Sequence, residues 1–206
     1  MKFRRFCAAS AAVLLALETA LIVITWIVTA AFPDLPLRSV LSNEGIRWFF
    51  GTLVSNQANG ILVWLILVSF AVGALRGSGL LGALHSLFSS THMSLQYQFA
   101  LRLVFAELLL FIVCIALLIG LPHAVLLSVT GHLFPSSFSR SIIPVISLFA
   151  VLVSLTFGAA SGKTPSLYSS YAAMLGGTKT LAHILPVYFI LVEIYHTVAF
   201  VINVSF

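Results

Sequence analysis

Two acidic residues stand inside long apolar runs, and they are the side chains of this sequence best suited to chemistry. Glu18 interrupts the run over residues 8–32, and Glu193 lies near the middle of the run over residues 181–204. A charged carboxylate at the centre of a bilayer costs about 2.5–3.5 kcal/mol on insertion scales. Protonation removes most of that cost, because a medium of low dielectric favours the neutral carboxyl group. Both residues are therefore candidate sites for coupling a proton or another ion.

Glu193 has a titratable neighbour on its own predicted helix. His196 follows at a spacing of three, which places the two side chains on one helical face. A hydrogen-bonded carboxyl and imidazole can relay a proton, because histidine titrates near neutral pH. Two other interpretations stay open: Glu193 is a neutral acid bonded to a neighbouring helix, or it faces a partner subunit. Glu107 lies nearer the end of its run, where Arg102 is its predicted partner.

The remaining polar patterns do not predict a catalytic, cofactor or metal site. The other histidines are scattered around the ends of apolar runs, without the spacing of metal ligands. The segment 161–164, Ser-Gly-Lys-Thr, lacks the upstream glycine of a phosphate-binding loop. No basic run exceeds two residues, which argues against nucleic acid as a partner. We expect a protein that is not an enzyme and has no cofactor and no metal.

Composition places the chain in a lipid bilayer. Hydrophobic residues make up 61% of its 206 residues and charged residues 7%, against about 25% charged residues in soluble domains. So few charges cannot cover the surface of a soluble fold. We predict an all-α, polytopic integral membrane protein that forms a single membrane domain over residues 1–206.

Five apolar runs are long enough to cross a hydrocarbon core of roughly 30 Å. They cover about residues 8–32, 60–84, 103–121, 142–160 and 181–204. A cleaved signal peptide is the alternative for the first run, but its 25 residues exceed a signal core of roughly 7–15 residues. We therefore expect an uncleaved first helix.

Two shorter segments predict one or two helices that do not span the membrane. Residues 38–56 alternate apolar and polar side chains at helical spacing, as in an amphipathic helix at the interface or against other helices. Residues 122–135 are bounded by prolines and are too short to cross. They fit a re-entrant segment, which needs protein or water around its ends, or a half-buried loop.

The basic residues predict the orientation. If the N-terminus is cytoplasmic, seven of the ten Lys and Arg residues face the cytoplasm and three face outside. This bias follows the positive-inside rule. We expect a multi-pass protein of the cell (inner) membrane, with its N-terminus in the cytoplasm and its C-terminus outside.

Small and amide residues mark the second run. Asn56, Asn59 and Gly60 stand where the amphipathic segment enters it. They predict either an unwound stretch that lines a substrate path, as in the broken helices of secondary transporters, or a plain helix entry. Gly73 and Gly77 form a G-x-x-x-G, a pattern of close helix packing that also arises by chance.

Several motifs of the chain resemble the p-aminobenzoyl-glutamate transporter (AbgT) family. They are VLSNEGIRW at residues 40–48, VSN at 54–56, and VGALRGSGL at 72–80, with a fainter likeness in PSLYSSY at 165–171 and LPVYF at 185–189. Family members are much longer, so the chain resembles a shortened form. No substrate-binding residue is carried over. One reason is that Arg-Gly at 76–77 replaces the acidic residue that the family has before its S-G-L.

The resemblance implies a secondary transporter, or part of one. It would move a small organic anion such as p-aminobenzoyl-glutamate with proton coupling, and a working carrier would need a homo-oligomer or a second membrane subunit. Glu193, His196 and Glu18 are our candidates for coupling, and Asn56, Asn59 and Gly60 for the path. The alternative is a non-transporting membrane subunit or scaffold that retains ancestral helices but has lost the substrate site.

Overall fold

A computed structural model of the chain describes residues 2–88, 94–120 and 137–203. All regular structure in these three stretches is α-helical. The helices are α1 (Lys2–Ala31), α2 (Asn43–Gln57), α3 (Gly60–Ser78), α4 (Leu80–Phe88), α5 (Leu95–Gly120), α6 (Ser137–Ala160), α7 (Leu167–Leu175) and α8 (Thr178–Val201).

The predicted all-α polytopic membrane fold is confirmed. Five helical segments of the described chain are long and apolar enough to cross a bilayer, counting the broken pairs α2–α3 and α7–α8 as one segment each. They are Lys2–Ala31, Asn43–Ser78, Leu95–Ile119, Ser141–Ala160 and Leu167–Val201.

The first helix buries its one acidic residue and exposes many of its apolar ones. The buried residues of α1 are Cys7 and Glu18, whereas Val13, Leu15 and Ile24 are 65%, 56% and 58% exposed. In water a helix would bury its leucines and expose its glutamate. The reverse distribution is typical of a helix whose outer face meets lipid, because an ionisable side chain in a bilayer turns towards protein or water.

The first helix boundaries follow from local chemistry. α1 ends at Ala31, shortly before Pro33, since the residue before a proline is disfavoured in helical conformation. Ser42 caps α2: its Oγ accepts the backbone N–H of Gly45 at 3.0 Å. That bond satisfies one of the donors that a helix start leaves free.

The helix of the second apolar run ends earlier than the predicted range 60–84. α3 stops at Ser78 because Gly79 adopts a φ of +78°, a conformation that glycine reaches without steric cost. The Oγ of Ser78 accepts the N–H of Leu80 at 3.3 Å, and α4 begins there. The run is therefore two helices joined at one glycine.

The region 161–180, which separates the fourth and fifth apolar runs, contains the helix α7. Ser166 and Ser169 form a reciprocal capping box at its start, which satisfies two backbone donors. The predicted amphipathic segment 38–56 corresponds to α2, which joins α3 with a two-residue break. The segment 122–135 lies outside the described residues.

Contacts divide the chain into two compact units, whose boundaries fall near the start of α3 and the start of α8. Unit 1 combines residues 1–62 and 180–206. Its apolar core is centred on Val40, Phe200 and Val201. Trp48 stacks on Phe200 with ring centroids 4.4 Å apart, and the N–H of Arg38 donates to the carbonyl of Val201 at 3.0 Å.

Unit 2 covers residues 63–179. Its core joins side chains of α4, α5 and α6, among them Leu80, Leu101 and Phe157. Phe111 of α5 stacks on Phe149 of α6 with centroids 4.0 Å apart. Such aromatic pairs add roughly 0.5–1.5 kcal/mol beyond the area they bury.

Candidate functional site

Glu193 is held inside unit 1 by a neutral amide. It lies on α8, and only 5% of its surface is exposed. The Nε2 of Gln57, the last residue of α2, donates to Glu193 Oε2 at 3.3 Å and to the carbonyl of Phe189 at 3.0 Å. Gln57 thereby connects the end of α2 to two successive turns of α8.

These two bonds fix the orientation of the Gln57 amide. The carbonyl of Phe189 can only accept, so the Gln57 nitrogen must face it. The Oε1 of Gln57 is therefore directed away from Phe189, and it is buried without a hydrogen-bond partner in the structure.

A second buried carboxyl group of unit 1 lies on α1. Glu18 is 9% exposed. A carboxyl group that is buried without a balancing base favours its protonated form or a bound cation. Gln57 is uncharged and does not balance a carboxylate.

Thr197 completes this group one turn after Glu193. The spacing of four places both residues on the same face of α8, and Thr197 is fully buried. Its Oγ1 and the Oε1 of Glu193, like the Oε1 of Gln57, have no hydrogen-bond partner in the structure. We call Glu18, Gln57, Glu193 and Thr197 the carboxylate cluster.

Tyr188 connects α8, which carries Glu193 and Thr197, to the break between α2 and α3. The hydroxyl of Tyr188 on α8 donates to Asn59 Oδ1 at 2.7 Å and lies 3.2 Å from the carbonyl of Gln57. Asn59 Oδ1 also accepts the N–H groups of Ile61 at 3.0 Å and Leu62 at 3.3 Å. Asn59 is thus the N-cap of α3 and an anchor for α8. A helix interrupted in this way is a device of secondary transporters.

The other two residues predicted for the substrate path lie apart from the cluster. Asn56 makes local bonds: its Nδ2 donates to Thr52 Oγ1 at 3.3 Å, within α2. Gly60 is the exposed first residue of α3, with open space where a side chain would stand. Of the three predicted path residues, Asn59 is therefore the one that the structure connects to α8.

His196 does not supply the hydrogen bond that the structure gives Glu193. That bond comes from Gln57. The imidazole of His196 instead makes an edge contact with the ring of Tyr195, with centroids 5.3 Å apart. The spacing of three shares a helical face but does not orient the two groups towards each other.

The glycines of the G-x-x-x-G lie against α7 within unit 2. A Cβ at Gly73 would meet the backbone of Met174 and Gly177, and a Cβ at Gly77 would meet Ala173. The two helices therefore approach so closely that backbone replaces side chain at the contact. The predicted pairing of Glu107 with Arg102 is not found in the described part of the chain, where Glu107 Oε2 is buried without a partner.

Three residues of this arrangement were not predicted from the sequence: Gln57, Tyr188 and Thr197. Thr197 could have been predicted, since it follows Glu193 at a spacing of four and shares its helical face. Gln57 and Tyr188 could not, because their partners are more than 100 residues away in the chain.

Unit 2 contains an apolar cavity of about 280 Å³ between α5 and α6. The described residues that line it are Phe111, Ile115, Leu118, Ser141, Ile142, Val145 and Ile146. This described part of the wall contains one hydroxyl and no charged side chain.

Comparisons with protein-family models, with curated proteins and with solved structures find no match to this chain. The resemblance of residues 40–48 and 72–80 to the p-aminobenzoyl-glutamate transporters therefore stays a prediction from motifs. The structure itself establishes an all-α protein with helices of membrane-spanning length and a buried carboxylate cluster in unit 1.

Proposed function

We propose that this chain is a cation-coupled secondary transporter, or part of one, with the carboxylate cluster as its coupling site. The observation that carries the proposal is Glu193, a buried acid whose hydrogen bond in the structure comes from a neutral amide. A buried acid without a balancing base is costly in a membrane protein, and ion coupling is the usual reason to keep one.

Proton coupling gives the cluster a simple cycle. Protonation of the Glu18–Glu193 pair removes their repulsion and lets α1 and α8 pack closely; release of the proton restores the repulsion. The break at residues 58–59 allows α2 to move relative to the start of α3, as hinges at element ends do. Alternating access would follow if this motion opened the cluster to one side of the membrane at a time.

The substrate class rests on the resemblance alone. It implies a small organic anion, with p-aminobenzoyl-glutamate as the first compound to test. The exposed apolar face of α1 fits contact with lipid or with another membrane helix. We therefore include a homo-oligomer or a second membrane subunit in the proposal, in the inner membrane with the N-terminus inside.

The test is uptake of labelled p-aminobenzoyl-glutamate by proteoliposomes that contain the purified chain. We expect an inward proton gradient to drive accumulation above that of empty liposomes. Glu193→Gln should remove the gradient-dependent part, because a permanently neutral side chain cannot carry the proton. The matched control is Glu44→Gln, at a carboxylate whose side chain is 66% exposed beside Arg38. It should transport like the wild type.

A membrane subunit without transport activity is the second candidate, and the apolar cavity favours it. The described residues that line it offer no charged group to an organic anion. The decisive outcome is well-folded protein without gradient-dependent uptake, in which the wild type and Glu193→Gln do not differ. That result would reject the carrier for this substrate and support the subunit.

A further inference from the structure

Three buried oxygen atoms of unit 1 are unsatisfied in their hydrogen bonding in the structure. The Oε1 of Gln57 and the carboxylate Oε1 of Glu193 are acceptors, and the Oγ1 of Thr197 is a hydroxyl with two lone pairs. None of the three has a hydrogen-bond partner in the structure. An unsatisfied buried polar atom costs roughly 1–3 kcal/mol, more when it is charged. Three in one small group therefore require an explanation.

The three oxygens belong to neighbouring residues. Gln57 is hydrogen-bonded to Glu193, and Thr197 follows Glu193 by one helical turn. The Nε2 of Gln57 is occupied by Glu193 Oε2 and Phe189, so this amide can offer only its oxygen. The Thr197 hydroxyl can donate to one other oxygen, which leaves an acceptor unsatisfied, whereas a cation can satisfy all three. Glu18, 9% exposed, adds a second acidic group to unit 1.

The donor set also limits the class of cation. Ca²⁺ takes roughly six to eight oxygen ligands, and Mg²⁺ usually keeps several of its waters in an octahedron. The cluster has four side chains, and three of them are at most 9% exposed, which leaves little room for water. It contains no sulfur or imidazole that would select a transition metal. A singly charged ion fits the charge of the cluster best, because together with one proton it would neutralise the pair of carboxylates.

We propose that Gln57 Oε1, Glu193 Oε1 and Thr197 Oγ1 coordinate a sodium ion, with the carboxylate of Glu18 balancing its charge. This inference rests on the proposed function for its purpose, since it names sodium as a coupling ion at the same site. Its test measures Na⁺ binding rather than transport, so the sodium site and the proposed function can fail separately.

The experiment measures radioactive Na⁺ bound to the purified full chain in detergent, together with the unfolding temperature in NaCl and in choline chloride of equal ionic strength. We expect saturable Na⁺ binding and a higher unfolding temperature in NaCl, because a ligand that binds only the folded state stabilises it. Thr197→Val should weaken binding by more than about tenfold, the lower end of the loss from disturbing even an outer-sphere partner of a metal ligand. Glu193→Gln should do the same.

The matched control is Thr19→Val, the same substitution at an exposed residue of α1 whose hydroxyl bonds the carbonyl of Leu15. It should bind Na⁺ like the wild type. If the wild type shows no saturable Na⁺ binding, the proposal is overturned without any variant. It is also overturned if Thr197→Val and Thr19→Val bind Na⁺ with equal affinity. Ca²⁺ or Mg²⁺ that displaces Na⁺ at micromolar concentration would overturn the assignment to a monovalent ion.

Uptake separates the two proposals. Na⁺ binding without any substrate uptake would leave the sodium site standing and reject the carrier. Proton-driven uptake in sodium-free buffer by protein that binds no Na⁺ would retain the carrier and reject the site.

Discussion

At the scale of single residues, the structure shows how a buried acid is held by uncharged neighbours. Glu193 could be identified from the sequence because an acid stands out in an apolar run. Its partner could not, since Gln57 is one of several polar residues in its segment and a fold decides which of them faces α8. The sequence favoured His196, which shares the helical face of Glu193 but turns its ring towards Tyr195.

Tyr188 offers a test of this local network. Tyr188→Phe removes the hydroxyl that bonds Asn59 Oδ1 at 2.7 Å, while Asn59 still caps α3. We expect a loss of about 0.5–1.5 kcal/mol in the free energy of unfolding, the usual net value of one hydrogen bond. Thermal or denaturant unfolding in detergent measures it. Tyr168→Phe, at a residue that is 81% exposed, is the control; equal effects of the two changes would contradict the role given to Tyr188.

At the scale of elements, apolar runs predict that helices exist, whereas single residues decide where they break. The helices are interrupted at residues 58–59, 79 and 176–177. Asn59 caps the helix that follows it, and as an amide at the start of the second run it could be recognised in the sequence. Gly79 breaks a helix through its positive φ. A glycine hardly changes the hydropathy of the run, so the pattern of apolar residues did not predict this break.

The contact of α3 with α7 gives the prediction at this scale. Gly73→Ala places a methyl group against the backbone of Met174 and Gly177. We expect a loss of about 1–3 kcal/mol in stability, as for other overpacked sites, because backbone cannot move aside as a long side chain can. Unfolding of the purified protein in detergent reports it.

Gly82→Ala is the matched control for that change. It lies in α4, also in unit 2, and nothing stands within 4 Å of the added methyl. Since glycine inside a helix costs roughly 0.5–1 kcal/mol relative to alanine, this variant should be as stable as the wild type or more so. A Gly73→Ala protein with the same gain would show that α3 and α7 do not approach closely.

At the scale of the whole molecule, composition alone predicted the class, because 7% charged residues exclude a soluble surface. The division into two units could not be predicted, since it depends on which distant segments meet. Residues 1–62 and 180–206 form one unit although 117 residues separate them.

Orientation in the membrane is the prediction at this largest scale. In a chain with Cys7 and Cys114 replaced by alanine, we introduce one cysteine at Arg47 or at Lys163, both exposed. The positive-inside rule places Arg47 outside and Lys163 in the cytoplasm. A membrane-impermeant maleimide should therefore label Arg47→Cys in intact cells, and Lys163→Cys only after the membrane is opened. The opposite pattern would reverse the orientation.

The burial of both Glu18 and Glu193 in unit 1 also sets an order of events during biosynthesis. Their helices are made 175 residues apart, which takes about 9–35 s at roughly 5–20 residues per second. Throughout that interval α1 must reside in the bilayer without α8, and its acid meets lipid, a chaperone or the insertion machinery instead. An unfinished chain thus displays, inside the membrane, a carboxyl group that the finished chain conceals.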